Sequence, residues 1–147
     1  MKEKNILVIN PGSTSTKIAV FQEDQVIHEE TLRHSSEELA VYGTIFEQFD
    51  FRRQMIESAI QTAGLQLKDL DAVVGRGGLL KPITSGTYQV NDRMLEDLKV
   101  GVLGQHASNL GGVLAYEIAQ PLGKPSFIVD PVVVDELESL ARYTGLP

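Results

Sequence analysis

Cysteine is absent from all 147 residues. That removes any disulfide framework and any thiolate metal site. Basic surplus is missing too: 13 Lys and Arg stand against 20 Asp and Glu, a formal charge of −7. Broad nucleic-acid binding needs cations to displace counterions, so this balance argues against it. It does not argue against a local positive site for a small anion. Long apolar runs are lacking. The run after Met1-Lys2-Glu3-Lys4-Asn5 is only four residues, Ile6 to Ile9, too short for a secretory signal, and no run is long enough to span a bilayer. The expectation is a cytoplasmic protein with neither membrane nor nucleic-acid partner. Repeats, low-complexity tracts and linkers are also missing, and no two histidines have metal-ligand spacing. With 42% hydrophobic and 22% charged residues, the chain is one globular domain by size.

Glycine is slightly above the usual ~7%, and its placement says more than its count. Gly75, Gly77 and Gly78 cluster, as do Gly101, Gly104, Gly111 and Gly112. They flank Arg76 and His106, which suggests close backbone packing around polar side chains rather than loose linkers.

Ile6 to Ile9 reads as a buried strand and Lys17 to Phe21 as its partner, joined by Asn10-Pro11-Gly12-Ser13-Thr14-Ser15-Thr16. Gln25 to Arg33 fits a third antiparallel strand. Ser35 with Glu38 three residues on fits a helix start. Thr44 to Gly64 reads as a long amphipathic helix with Ile45, Phe49, Ile56, Ile60 and Ala63 near one face. Short strands are expected at 71–74, 86–90 and 127–129. Helices are expected from an Asn91 cap to Lys99, from His106 to Gln120, and over 134–143. A meander of three strands followed by alternating helices and strands implies a mixed α/β sheet with flanking helices.

Four places could carry chemistry. The first turn offers hydroxyls, amides and the permissive Gly12, with Lys17 at its base, which suits an anion; the same residues also make an ordinary hairpin turn. Arg76 follows a strand and has few local carboxylates, so its fork could hold a carboxylate or a phosphoryl group, or simply face solvent. His106 opens a helix, where anions are favoured, though a lone histidine is commonly structural. Asp130 ends an apolar strand before Pro131, at the kind of strand end that opens onto ligand crevices; it could hold Mg²⁺ or merely shape a turn. His28 and His34 lie on a charged strand and turn and are assigned no role. The acidic run from Asp135 to Glu138 reads as a first helical turn.

Asn10-Pro11-Gly12-Ser13-Thr14-Ser15-Thr16-Lys17, Gly75-Arg76-Gly77-Gly78, Gly104-Gln105-His106-Ala107-Ser108-Asn109 and Phe127-Ile128-Val129-Asp130-Pro131 resemble, in order, motifs of the acetate and butyrate kinase family. The second and fourth are nearer its butyrate branch. The resemblance implies an actin-like ATPase (ribonuclease H-like) domain. It further implies that ATP gives its γ-phosphoryl group, reversibly, to the carboxylate of butyrate or a branched short-chain acid, forming an acyl phosphate and ADP. A carboxylate is already a nucleophile, so no general base is needed.

By the same resemblance, Arg76, His106 and Asp130 are catalytic, and Asn10, Gly12, Ser13, Thr14, Ser15 and Lys17 bind the nucleotide phosphates. Arg76, Gly77, Gly78, His106 and Asn109 bind the acyl substrate, and Asn10 and Asp130 serve Mg²⁺. Gly77 and Gly78 would leave space for a longer acyl tail. A second domain with most of the adenosine site should follow, making 1–147 a first domain that is inactive alone; the whole protein should be a homo-oligomer. Alternatives are an acetate or propionate kinase, or a non-catalytic acyl- or phosphate-binding module. A sugar or glycerol kinase fits less well, because those relatives carry Asp where this chain has Asn10.

Overall fold

The computed structural model describes residues 2–80, 84–102 and 104–130. The expected helix over 134–143, its acidic first turn and Pro131 lie outside them.

Six strands form one sheet. β1 (Asn5–Pro11), β2 (Ser15–Gln22) and β3 (Gln25–Arg33) make the antiparallel meander; β4 (Ala72–Arg76), β5 (Thr87–Gln89) and β6 (Ser126–Val129) complete the order β3-β2-β1-β4-β6-β5. β1, β4 and β6 run parallel, and β5 closes the edge antiparallel to β6. Period-two alternation sets the faces. Leu7 and Ile9 of β1, Thr16, Ile18 and Val20 of β2, and Val73 of β4 are buried on one side. Val8, Asn10, Val74 and Arg76 take the other.

The helices cover the Leu7 face. α1 (Ser36–Ala40) begins with the expected capping box: the Glu38 N–H donates to Ser35 Oγ at 3.1 Å, and the Ser35 N–H to the Glu38 carboxylate at 2.7 Å. α2 (Phe49–Thr62) is shorter than the helix expected from Thr44, because residues 46–48 form a single 3₁₀ turn before it. Ile56 and Ile60 are buried as expected, whereas Ala63, at the exit, is exposed. α3 (Asp92–Val100) starts at Asn91, whose side chain accepts from the Met94 N–H, and stops at Gly101 in the left-handed region (φ 71°). α4 (Leu110–Ala119) is apolar nearly all round, which fits only a helix enclosed on most sides.

Enclosed it is. One core joins β1, β2 and α2 to Leu110, Leu114 and Ile118 of α4; a second joins α3 and β6 to Val113. Each buried Leu or Ile contributes ~1.5–3 kcal/mol by leaving water, so α4 ties the sheet to both neighbouring helices. That fixes where the first residues of α4 sit, and they adjoin the end of β4.

Candidate functional site

The C-terminal ends of the parallel strands bring three of the expected residues together. Asn10, Arg76 and Asp130 line one groove of ≈ 510 Å³ with Val8, Val74, Gly75 and Val129. Register explains the convergence. Ile9 pairs with Gly75 and Arg76 with Val129, so Asn10 and Arg76 follow one step later on the same face. Across the hairpin Asn10 faces Lys17, and directly opposed residues on one face lie ~4.5–5.5 Å apart at Cβ. Lys17 and Arg76, both exposed, therefore put positive charge on either side of Asn10.

Asp130 takes a left-handed backbone (φ 46°), which Asp tolerates better than most residues. A reciprocal pair holds it: the Asp130 N–H donates to the Gly86 carbonyl at 3.1 Å, and the Gly86 N–H donates to Asp130 Oδ1 at 3.2 Å. The second carboxylate oxygen has no hydrogen-bond partner among the described residues, and Asp130 is one of those that line the groove.

The loop after Asn10 is built from behind. Arg52 of α2 is completely buried. Its Nη1 donates to the Gly12 carbonyl at 2.7 Å, the Ser15 carbonyl at 3.1 Å and Thr16 Oγ1 at 3.1 Å, and its Nη2 to the Ser13 carbonyl at 3.4 Å. Gln48 Oε1 receives both Nε and Nη2, at 3.2 and 2.9 Å. Burial pushes the Arg52 guanidinium down to about 10, which leaves it charged near neutral pH. Thr16 Oγ1 also meets His34 Nε2 at 2.8 Å.

His34 is buried, not the turn residue its charged surroundings suggested. Burial first, then the neighbouring Arg52, lowers its pKa below 6.5, with Glu38 opposing. Sequence reasoning missed both residues, yet each left a signal. Arg52 interrupts the apolar stripe Phe49, Ile56, Ile60 at helical spacing, and His34 shares strand parity with the buried Leu32.

Backbone contact builds the other side. A Cβ on Gly75 would overlap the carbonyl of Gly111, and one on Gly111 the carbonyl of Arg76; β4 and α4 touch main chain to main chain. Gly77 is buried, and its N–H donates to the Val129 carbonyl at 3.0 Å. Two expectations need correcting here. Gly78 does not open space for an acyl tail, since a Cβ there would lie 2.7 Å from Asn109 Cα and 2.8 Å from its Oδ1. Asn109 is buried, with its amide already committed: Oδ1 accepts from the Leu79 N–H and Nδ2 donates to the Gly104 carbonyl, both at 2.9 Å. It staples two loops.

His106 does not line the groove. It is exposed and caps the 3₁₀ turn 107–109 ahead of α4, rather than starting that helix. Ser108 N–H donates to His106 Nδ1 at 3.1 Å. In the neutral ring the proton then sits on Nε2, facing outward as a donor.

No group of three or more His, Cys, Asp or Glu side chains able to hold a metal occurs among the described residues. No helix among them is long and apolar enough to cross a membrane.

Butyrate kinases are homologues of this chain. Butyrate kinase 1 of Clostridium acetobutylicum is 60% identical over 141 residues, covering 96% of this chain and 40% of that protein. Butyrate kinase 2 of the same organism is 58% identical over 142 residues, covering 97% of this chain and 40% of that protein. The chain thus spans about 40% of the length of these curated relatives. No protein-family model matches it. The acetate kinase of Porphyromonas gingivalis superimposes with a TM-score of 0.55 at 18% identity, over 86% of this chain and 37% of that one. That likeness shows that the two chains share a fold.

Proposed function

We propose that this homologue of the butyrate kinases is the phosphate- and acyl-binding domain of a two-domain kinase. The whole protein transfers the γ-phosphoryl group of ATP to the carboxylate of butyrate or a branched short-chain acid and returns it from the acyl phosphate. The observation that carries this reading is the meeting of Asn10, Arg76 and Asp130 in one groove beside a hydroxyl-rich loop. The sequence that forms it is 60% identical to a butyrate kinase.

The chemistry asks little beyond position and charge. Two anions must approach, and negative charge spreads over the equatorial phosphoryl oxygens in the transition state. Arg76 offers a rigid fork of donors that fits a carboxylate or phosphoryl group. Lys17, with the free N–H and hydroxyl groups of Ser13 and Thr14, holds the phosphate oxygens, and His106, outside the groove, would donate from Nε2 only to a ligand that extends beyond it. Mg²⁺ needs only one or two protein oxygens when phosphates and waters complete its shell. The Asn10 amide and Asp130 carboxylate fit that demand, directly or through water; the ion would neutralise charge between the phosphates. Residues 1–147 make up the first domain, with most of the adenosine contacts on a second. We read the whole as a cytoplasmic homo-oligomer without nucleic-acid or membrane partners, in keeping with the charge of −7 on residues 1–147.

The test is ATP-dependent acyl-hydroxamate formation by the full-length gene product on acetate, butyrate and isobutyrate. Four-carbon acids should be used best, and Arg76→Ala should lower kcat by ~10²-fold or more, as expected for losing a preorganised donor at developing charge. Preference for acetate would move the substrate to the acetate and propionate kinases. No turnover on any acid would refute the reading.

A further inference from the structure

We propose that Arg52 is a positioning residue for nucleotide phosphate, acting from behind the first loop to turn its peptide groups toward the ligand. The inference rests on reading that loop as a phosphate site and adds a residue that does not itself touch substrate.

The geometry leads there in three steps. Arg52 draws the carbonyls of Gly12, Ser13 and Ser15 inward, and the Thr14 carbonyl accepts from the His34 N–H at 2.9 Å. All four loop carbonyls are thereby turned into the protein. In a planar trans peptide the next residue's N–H points opposite to the carbonyl. Fixing the Gly12 and Ser13 carbonyls inward therefore aims the Ser13 and Thr14 N–H groups outward. Neither N–H, and none of the Ser13, Thr14 and Ser15 hydroxyls, bonds to another described residue. A row of outward donors is what binds an anion.

Charge is the second observation. Arginine is almost never fully buried unless paired, and the ion pairs among the described residues are His28–Glu30 and Asp50–Arg53. Arg52 has only neutral acceptors: four loop oxygens and Gln48. Its buried charge lies on the far side of the loop from the ligand, where low polarisability strengthens its field. An arriving phosphate is the counter-charge that the fold leaves out.

Shape is the third. One planar fork spans Gly12, Ser13, Ser15, Thr16 and Gln48 at once. An ammonium keeps the charge but cannot reach all five.

The experiment compares full-length wild type with Arg52→Lys and Gln48→Leu, measuring kcat, KM for ATP and KM for the carboxylate, and the rise in Tm on adding Mg-ATP. Losing charge-assisted hydrogen bonds at ~1.5–3 kcal/mol each should raise the KM for ATP in Arg52→Lys about tenfold or more. The carboxylate KM should stay within about twofold and the ATP-induced Tm rise should shrink. Gln48→Leu, which frees the fork without touching the loop, should move the same quantities less. A folded Arg52→Lys with unchanged ATP KM, kcat and Tm rise overturns the proposal. If Arg52→Lys does not fold, an unchanged Gln48→Leu overturns it. Should wild type phosphorylate no carboxylate, the butyrate reading fails separately. The ATP-induced Tm rise still decides the role of Arg52: a loss in the variants supports it and full retention refutes it.

Discussion

The two sides of the groove are held in place by opposite devices. On the β1–β2 side a large buried side chain, Arg52, grips loop carbonyls through hydrogen bonds. On the β4–α4 side no side chain intervenes, and Gly75 and Gly111 let strand and helix meet backbone to backbone. A polar grip has slack, because hydrogen bonds stretch and a loop can shift by fractions of an ångström. A glycine contact has none, since any Cβ lands on main-chain atoms that cannot rotate away. On the function proposed above, the loop that would receive a mobile nucleotide sits on the compliant side, and Arg76, proposed to align the reacting groups, sits on the stiff one.

The largest expected effect tests that stiffness. Gly75→Ala must lift α4 from β4, and overpacking of this kind costs ~1–3 kcal/mol, more where only backbone can move. We expect at least the upper end, read as a fall in the urea midpoint of the full-length protein. Gly12→Ala is the matched change on the other side. A Cβ there would meet the Ser15 oxygens at 3.4 Å, an ordinary contact, so the midpoint should move by less than ~1 kcal/mol. The reverse order would break the comparison.

The next effect sharpens it. Asn109→Ala removes the staple between Leu79 and Gly104, two half-buried hydrogen bonds, a loss of ~1 kcal/mol in stability. Because that staple anchors the chain just past Gly78, kcat should fall with it. Were Asn109 a substrate ligand instead, the carboxylate KM would rise with stability unchanged.

How far the sequence revealed this follows the same division. β3 was legible to its end residues, 25–33, because the meander alternates cleanly and its turns are polar. The Asn91 and Ser35 caps were legible because capping is local chemistry, read over three residues. Asn10, Arg76 and Asp130 were found through strand-end position and motif, and parallel register then brought them together. What stayed hidden depends on contacts across the chain. The Gly78 cluster looked like open space because glycine's small size reads the same whether the void is empty or filled by Asn109 from a distant helix start. Arg52 looked like one more charge on an amphipathic helix, since nothing local says that loop carbonyls 37 to 40 residues away would receive it.

The smallest expected effect concerns the compliant side and depends on pH. His34 hydrogen-bonds the Thr16 hydroxyl behind the loop, and its folded pKa lies below 6.5 because burial and Arg52 disfavour the imidazolium more than Glu38 favours it. The sign follows from linkage. Between the folded pKa and the unfolded value of 6.5 the unfolded chain binds the extra proton, so stability rises with pH across that window. The neutral-ring stabilisation is complete above it and is lost as pH falls through the folded pKa. Charging His34 would also make Nε2 a donor toward a hydroxyl oxygen that already accepts from Arg52, and set a second positive charge beside that guanidinium, which loosens the grip on the loop. Urea midpoints of full-length wild type and His34→Gln at about pH 7.5 and about pH 5.5 isolate the effect, since glutamine keeps an acceptor for Thr16 and does not titrate. Wild type should lose more stability on acidification than His34→Gln, and its KM for ATP should rise more. Equal losses in the two proteins would mean that acid acts elsewhere, and that the polar side of the groove is as indifferent to pH as the glycine side.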